Sequence, residues 1–166
     1  FRVGPLFTHT TTGFTRPGDE EHPYLASVSC VHDPEEEGFV QEMIMQPEEA
    51  AKRVSAIPAG DGSFRTIPPE AFPEQVQIIS RDEAGYALQL QIGGFPFNGE
   101  EVRLALGLPS ACFELNRHGS DVRFTVRGRG HGWGLSQTEA QALAEDGWSA
   151  EAILEYFYTG ISFSSE

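Results

Sequence analysis

The stretch Gly128-Arg129-Gly130-His131-Gly132-Trp133-Gly134-Leu135-Ser136-Gln137 decides how this chain reads. Four glycines alternate with an arginine, a histidine and a tryptophan. A strand-like run, 122–126, leads in, and a helix pattern leads out. Glycine at every second position opens backbone torsions closed to other residues and lets the backbone come close to a ligand or another chain. The polar residues between the glycines, above all His131, are then offered on a tight loop at a helix start.

Downstream of the loop, Ser136-Gln137-Thr138-Glu139 forms a capping box and opens an alanine-rich helix that Gly147 ends. Ser149 caps a second helix through Tyr158, and 160–163 returns as a short strand. Upstream, 113–116 and 121–126 pair as a hairpin across 117–120. Asn98 caps another helix, with Glu101 three residues on and Gly107 as its stop. Strands are expected at 76–80 and 86–92, joined by a turn at Glu83-Ala84-Gly85. The second alternates strictly, which predicts one buried face. Earlier still, 39–45 reads as a strand, and Pro47 opens a helix with Glu48 and Glu49 near its positive end. Ala50, Ala51, Val54 and Ile57 give that helix its apolar stripe, and Pro58 stops it. Residues 57–73 read as a loop or variable insertion, and 1–7 as a strand. The fold class is α+β: mixed, largely antiparallel strands with a few short helices, two of them at the C-terminus after the glycine loop. The expected organisation is a single domain over 1–166.

A chain of 166 residues can build one domain with a sizeable core. Its formal net charge of −14, from 25 acidic and 11 basic residues, argues against nucleic acid and anionic membrane as partners. No apolar run reaches the length of a membrane helix. The chain begins at Phe1, as a processed protein or a fragment would, so an export segment is compatible with it. Arg117, Arg123, Arg127 and Arg129 lie near the glycine loop. They either balance local acids or form a basic site for a modestly anionic ligand. Cys30 and Cys112 are expected to be two separate thiols.

Three chemistries could use the loop and the residues around it. A phosphate cradle is rejected, because the glycines lack dinucleotide spacing and too little chain follows for a second parallel strand and a ribose-binding acid. Zinc is suggested by His9, His22, Cys30 and His32, but their spacing matches no tight zinc pattern, and no metal or cofactor is expected. A nucleophilic triad is not visible: Ser136 reads as a helix cap and no acid is placed to orient His131. Thr8-His9-Thr10-Thr11-Thr12-Gly13 is a donor-rich surface suited to sugar or backbone contacts.

The run from Val126 to Gln137, followed by Ala140, Ala144, Gly147, Ala152-Ile153-Leu154, Tyr156-Phe157-Tyr158 and Gly160, resembles the C-terminal signature of the stage II sporulation protein D family, which includes the LytB amidase enhancers. Three further blocks agree in order. Phe7-Thr8-His9-Thr10-Thr11-Thr12-Gly13 resembles the family's His-Ser-Thr-Ser-Gly-Gly. Tyr24-Leu25-Ala26-Ser27-Val28 resembles its Tyr-Leu-x-Ser-Val. The run from Arg103 through Leu106-Gly107-Leu108, Ser110 and Phe113 resembles its Arg-x-x-Leu-Gly-Leu-x-Ser-x-x-Phe.

The resemblance implies bacterial, extracytoplasmic peptidoglycan chemistry: a lytic transglycosylase acting on glycan strands stripped of stem peptides, with an amidase as a partner. Such a reaction needs one acid/base carboxyl to protonate the glycosidic oxygen while the muramic 6-hydroxyl closes the anhydro ring. The family's catalytic glutamate precedes the His-Ser-Thr-Ser block, so it is expected on an N-terminal segment missing from this chain or on a second chain. No catalytic residue is assigned here, and Glu139 and Glu145 read as ordinary exposed helix positions. The resemblance assigns His9, Thr10, Thr12, Arg129, His131, Ser136 and Gln137 to lining or bracing a glycan cleft, with Arg103 supporting it. Gly13-Phe14 departs from the family's Gly-Gly, and Thr15 and Glu21 lie where some members carry zinc-binding cysteines. The alternative reading is a non-catalytic module that binds glycan or stimulates an amidase.

Overall fold

A computed structural model of the chain describes residues 6–163. In chain order its strands are β1 (Phe7–Thr8), β2 (Val40–Met45), β3 (Val76–Arg81), β4 (Ala87–Ile92), β5 (Phe95–Asn98), β6 (Phe113–His118), β7 (Asp121–Arg127) and β8 (Leu135–Ser136). The helices are α1 (Pro47–Ser55), α2 (Gly99–Leu106), α3 (Gln137–Glu145) and α4 (Ala150–Phe157), with short 3-10 turns at Asp33–Glu35 and Pro69–Ala71. The class is α+β with mostly antiparallel pairing and two helices near the C-terminus, as expected. Contacts divide the chain into two compact units, Phe1–Phe39 with Gly128–Glu166, and Val40–Arg127.

The unit Val40–Arg127 holds two antiparallel three-stranded sheets, ordered β2-β7-β6 and β3-β4-β5. Along β7 the alternation predicted from sequence places Val122, Phe124 and Val126 inside. Phe124 meets Phe113 of β6 edge-on, their ring centroids 6.3 Å apart. These side chains share one core with Val54 of α1, Leu90 and Ile92 of β4, and Val102 and Leu106 of α2. Helix boundaries follow their capping residues. Pro47 starts α1. The Asn98 side chain accepts from the amides of Glu100 and Glu101 to start α2, and Gly107, at φ 70°, ends it in the left-handed region.

Strand β4 breaks the strict alternation expected of it. Ala87 is buried while Leu88 is exposed. The ladder steps from Ile78↔Leu90 to Ser80↔Gln89 and then to Arg81↔Ala87, so Ile79 and Leu88 each stand as an extra residue on their strand. Each bulge turns its side chain off the regular pleat. Strand β5 has no counterpart in the sequence reading; its Pro96 is tolerated because β5 lies at the sheet edge.

In the unit Phe1–Phe39 with Gly128–Glu166, β1 and β8 pair in parallel, Phe7 opposite Leu135 and Thr8 opposite Ser136. The core gathers Leu25, Cys30, Leu135, Leu143, Ile153, Phe157 and Tyr158. Two tyrosines fasten the C-terminal helix: the Tyr156 hydroxyl donates to Ser29 O at 2.7 Å and the Tyr158 hydroxyl to Leu6 O at 2.7 Å. Segment 160–163 is not the strand expected there. The bridging residue is Tyr158, opposite Leu25, and the chain turns immediately after it. Of the strand expected over 1–7, residues 1–5 lie outside the described residues. The chain leaves this unit after Phe39 and returns at Gly128, where the Gly128 amide donates to Phe39 O at 2.9 Å.

Candidate functional site

The glycine loop wraps around the segment 6–11. Arg129 forms an antiparallel bridge with Thr10, whose amide donates to Arg129 O at 3.0 Å while the Arg129 amide donates to Thr10 O at 2.8 Å. At the far end Ser136 stands opposite Thr8. This contact explains the glycines. A Cβ on Gly128 would sit 2.8 Å from Thr11 O, on Gly130 2.3 Å from Thr8 Oγ1, and on Gly134 2.2 Å from Leu6 O, and all three have positive φ. The close approach the sequence promised is therefore to this same segment of chain.

Five of the eight residues expected at a site are gathered along this seam. The His9 ring lies 2.8 Å from Thr10 Oγ1 through Nδ1, Thr10 Oγ1 lies 3.1 Å from Thr138 Oγ1, and the Thr138 hydroxyl donates to His9 O at 3.2 Å. Each hydroxyl has one hydrogen to give, so the chain runs one way: His9 Nδ1–H to Thr10, Thr10 to Thr138, Thr138 to His9 O. The Arg129 side chain is exposed, and Gly38 makes room for its guanidinium: a Cβ there would lie 3.3 Å from Nη2. His131, half-buried, accepts the Trp133 amide on Nδ1 at 3.0 Å, and its ring centroid lies 5.8 Å from that of Trp133. Ser136 is wholly buried. It caps α3 by accepting the Glu139 amide, and its hydroxyl donates to Asp33 Oδ1 at 2.7 Å, so it braces the seam from beneath.

Thr12 is half-buried and Gln137 exposed on the first turn of α3. Arg103 belongs to the other unit, on α2, where it pairs with Glu100 and donates to Pro109 O at 3.4 Å.

Three residues that sequence reasoning passed over hold the seam in place. Asp33 is fully buried and accepts from the Thr11 amide at 2.5 Å, the Thr11 hydroxyl at 2.6 Å and Ser136. Glu139 is 2% exposed, which overturns its reading as an exposed helix position. The turn at 30–36 crosses the first turn of α3, and Glu139 accepts the His32 amide at 2.8 Å and the His32 ring at 3.1 Å. The capping box is thus half formed: Ser136 reaches forward, but Glu139 is drawn away to His32. Glu145, by contrast, is exposed. Arg16 is 3% exposed, with its guanidinium 3.9 Å above the Trp133 ring and donating to His131 O at 3.3 Å. The Ser136-to-Glu139 spacing was the signal available for Glu139, and nothing local in the sequence marks Asp33 or Arg16.

The electrostatics follow. The Glu139 carboxylate bonded to His32 raises that ring's pKa above its ordinary value. Burial, reinforced by the Asp33 charge, pushes the Cys30 thiol up to about 12. Both cysteines are free and buried. Beside Trp133 lies a concavity of about 330 Å³, also lined by Leu6, Pro17, Gly18, Asp19, His22 and Leu25. His22 and Asp19 pair there at 2.7 Å, and that hydrogen bond lowers the Asp19 pKa. Of the residues that suggested zinc, His22 is thus turned to Asp19 and His32 to Glu139. Among the described residues no group of three or more His, Cys, Asp or Glu side chains is placed to hold a metal, and no helix is long and apolar enough to cross a membrane.

No family model matches the chain. Among curated proteins, the chain is 28% identical over 162 residues to the stage II sporulation protein D of Bacillus amyloliquefaciens, covering 95% of this chain and 44% of that protein. It is 41% identical over 73 residues to the stage II sporulation protein D of Bacillus subtilis (strain 168), covering 44% of this chain and 21% of that protein. The chain thus spans less than half the length of these curated relatives. Both carry the name of the family that the sequence motifs resemble.

Proposed function

We propose that this chain, a homologue of stage II sporulation protein D, holds peptidoglycan glycan strands at the cell envelope, outside the cytoplasm, for cleavage of the lytic transglycosylase type. The observation that carries the reading is the seam itself. An imidazole, hydroxyls and an exposed guanidinium are fixed on a backbone lattice between the segment 6–11 and the glycine loop. The Thr10 hydroxyl is buried and spent on Thr138, so the groups the seam offers outward are the half-buried His9 ring and the exposed Arg129 side chain, which suit the hydroxyl-rich face of a saccharide. Cleavage also requires a carboxyl able to protonate the glycosidic oxygen. The two carboxylates bonded to the seam, Asp33 and Glu139, are buried and spent on structural hydrogen bonds. In this reading they position the wall, and the acid comes from a segment outside this chain.

The same commitment of both carboxylates favours a second reading, a non-catalytic module that binds glycan or enhances an amidase partner. One experiment separates them. Sedimentation with insoluble glycan strands, stripped of stem peptides by an amidase, should retain the chain, and His9→Ala should weaken retention. Release of anhydromuramoyl ends by a longer protein containing this chain supports cleavage; retention without release by that protein supports the module. Failure of the wild-type chain to sediment with the strands would sink both.

A further inference from the structure

The two sheets of the unit Val40–Arg127 have four edge strands, and three of them carry a guard against further pairing. Pro96 removes a donor from β5, a bulge at Ile79 breaks the register of β3, and the Arg81 guanidinium donates to Phe113 O of β6 at 2.7 Å. Strand β2 carries none. It pairs with β7 in unbroken register, and the run Val40-Gln41-Glu42-Met43-Ile44-Met45 holds no proline, glycine or lysine. Two bonds fix where its backbone groups point. The Gly128 amide donates to Phe39 O and the Arg127 amide to Cys112 O, so the even-numbered residues of β7 bond β2 and the odd-numbered ones bond β6. On β2, the N–H and C=O groups of Gln41, Met43 and Met45 therefore face β7, and those of Val40, Glu42 and Ile44 face outward. Among the described residues, no strand or loop backbone pairs with this outward row.

The same three residues share one face of the sheet, and all are exposed, Val40 by 51% and Ile44 by 54%. Between the two aliphatic side chains stands the Glu42 carboxylate. Arg123 reaches it only at 3.6 Å and leaves the Glu42 side chain more than half exposed, while Arg127 is turned to Glu114. A second copy of this chain is a poor occupant of the edge. The twofold register that sets Val40 against Ile44 also sets Glu42 against its own copy, and like charges directly opposite are destabilising. We infer that β2 is a docking edge for an extended peptide segment of a partner protein, which adds antiparallel as the fourth strand of the sheet β2-β7-β6. The segment sets a basic residue opposite Glu42, flanked at alternate positions by β-branched residues opposite Val40 and Ile44. The net charge of −14 favours approach of the same kind of segment.

The probe is a fluorescently labelled peptide, Thr-Val-Thr-Arg-Thr-Val-Thr, blocked at both ends and titrated against the full chain by anisotropy. In the antiparallel register its second, fourth and sixth amides face β2, and its third and fifth face away. N-methylation of the fourth amide should weaken binding by about tenfold or more, and N-methylation of the third should leave it within about twofold. Replacing the central arginine by glutamate should weaken binding by about three- to tenfold, and Glu42→Lys should reverse that preference. Ile44→Pro removes an outward N–H and no bond to β7, so it should keep the circular dichroism of the wild type and lose the peptide; the methylated pair tests the same edge on the unaltered chain. Absence of binding by the folded wild type at about 1 mM peptide overturns the inference. So do equal losses from methylation on the two sides, and a preference for arginine that survives Glu42→Lys. A wild-type chain that sediments as a dimer, and as a monomer with Ile44→Pro, overturns it in favour of a second copy as the occupant.

Discussion

Replacing Asp33 by alanine should unfold the seam more effectively than any change on its surface. The Asp33 carboxylate is wholly buried and accepts three hydrogen bonds, at 2.5 and 2.6 Å from Thr11 and at 2.7 Å from Ser136. With the carboxylate gone, the Ser136 hydroxyl can turn to His9 O, 3.4 Å away. The Thr11 amide cannot turn, and a buried amide left without a partner costs about 1–3 kcal/mol. Adding the lost charge-assisted bonds from the two hydroxyls brings the expected destabilisation for Asp33→Ala to about 3–5 kcal/mol, the range for breaking a buried charged network. Asp33→Asn keeps an oxygen for Thr11 and should lose only about 1–2 kcal/mol. Urea unfolding followed by tryptophan fluorescence reports this directly, because Trp133 and Trp148 both lie in the same unit as Asp33. In a double-mutant cycle, Asp33→Ala with Ser136→Ala should fall short of additivity by about 1–2 kcal/mol. A loss below about 1 kcal/mol for Asp33→Ala, or equal losses for alanine and asparagine, would refute the reasoning.

Three other outcomes are expected. The Glu139 carboxylate holds the folded His32 pKa above its ordinary value of 6.5, so its contribution to stability is complete below 6.5 and is lost as pH rises through the raised value. The gap in urea midpoint between wild type and His32→Gln should therefore be full below pH 6.5 and shrink as pH rises through the raised value; a gap that widens contradicts the pairing. Gly134→Ala drives a Cβ to 2.2 Å from Leu6 O, whereas Gly147→Ala meets nothing within 4 Å. The first should cost about 3 kcal/mol or more and the second about 1 kcal/mol, the strain of a positive φ alone, as read by thermal unfolding. Cys30, buried and pushed up to about 12, should resist iodoacetamide at neutral pH until denaturant is added, and rapid labelling of the folded chain would contradict its burial.

The elements that were legible in the sequence are those with local causes. Pro47, Asn98, Gly107, Ser136 and Ser149 each start or stop a helix through their own backbone or side chain, and each does so in the structure. The period-2 pattern of β7 likewise reports its own burial. What the sequence hid depends on partners far along the chain. The bulges at Ile79 and Leu88 arise only once β3 meets β4. Glu139 looks solvated on a helical wheel, but it is buried by a turn that lies 107 residues earlier. The glycines of the loop announced a close approach, and only the fold names Leu6, Thr8 and Thr11 as what they approach. At the candidate site, His9, Thr10 and His131 stood out by residue type and lie along one seam, whereas Asp33 and Arg16 act through contacts that no spacing encodes.

The hydrogen bond between Phe39 and Gly128 has a consequence for how the chain acquires its shape. The unit Val40–Arg127 is continuous in sequence, but the other is assembled from two pieces that this intervening stretch separates. Bringing the ends of an unstructured stretch of that length together costs about 4–5 kcal/mol of chain entropy. If the stretch is already folded, its two ends emerge side by side and most of that cost is gone. The inserted unit would then act as an internal template, and the seam carrying His9 and Arg129 would be the last part of the protein to form. A pulse-labelling hydrogen-exchange experiment should accordingly find the β7 amides protected before those of Thr10 and Arg129.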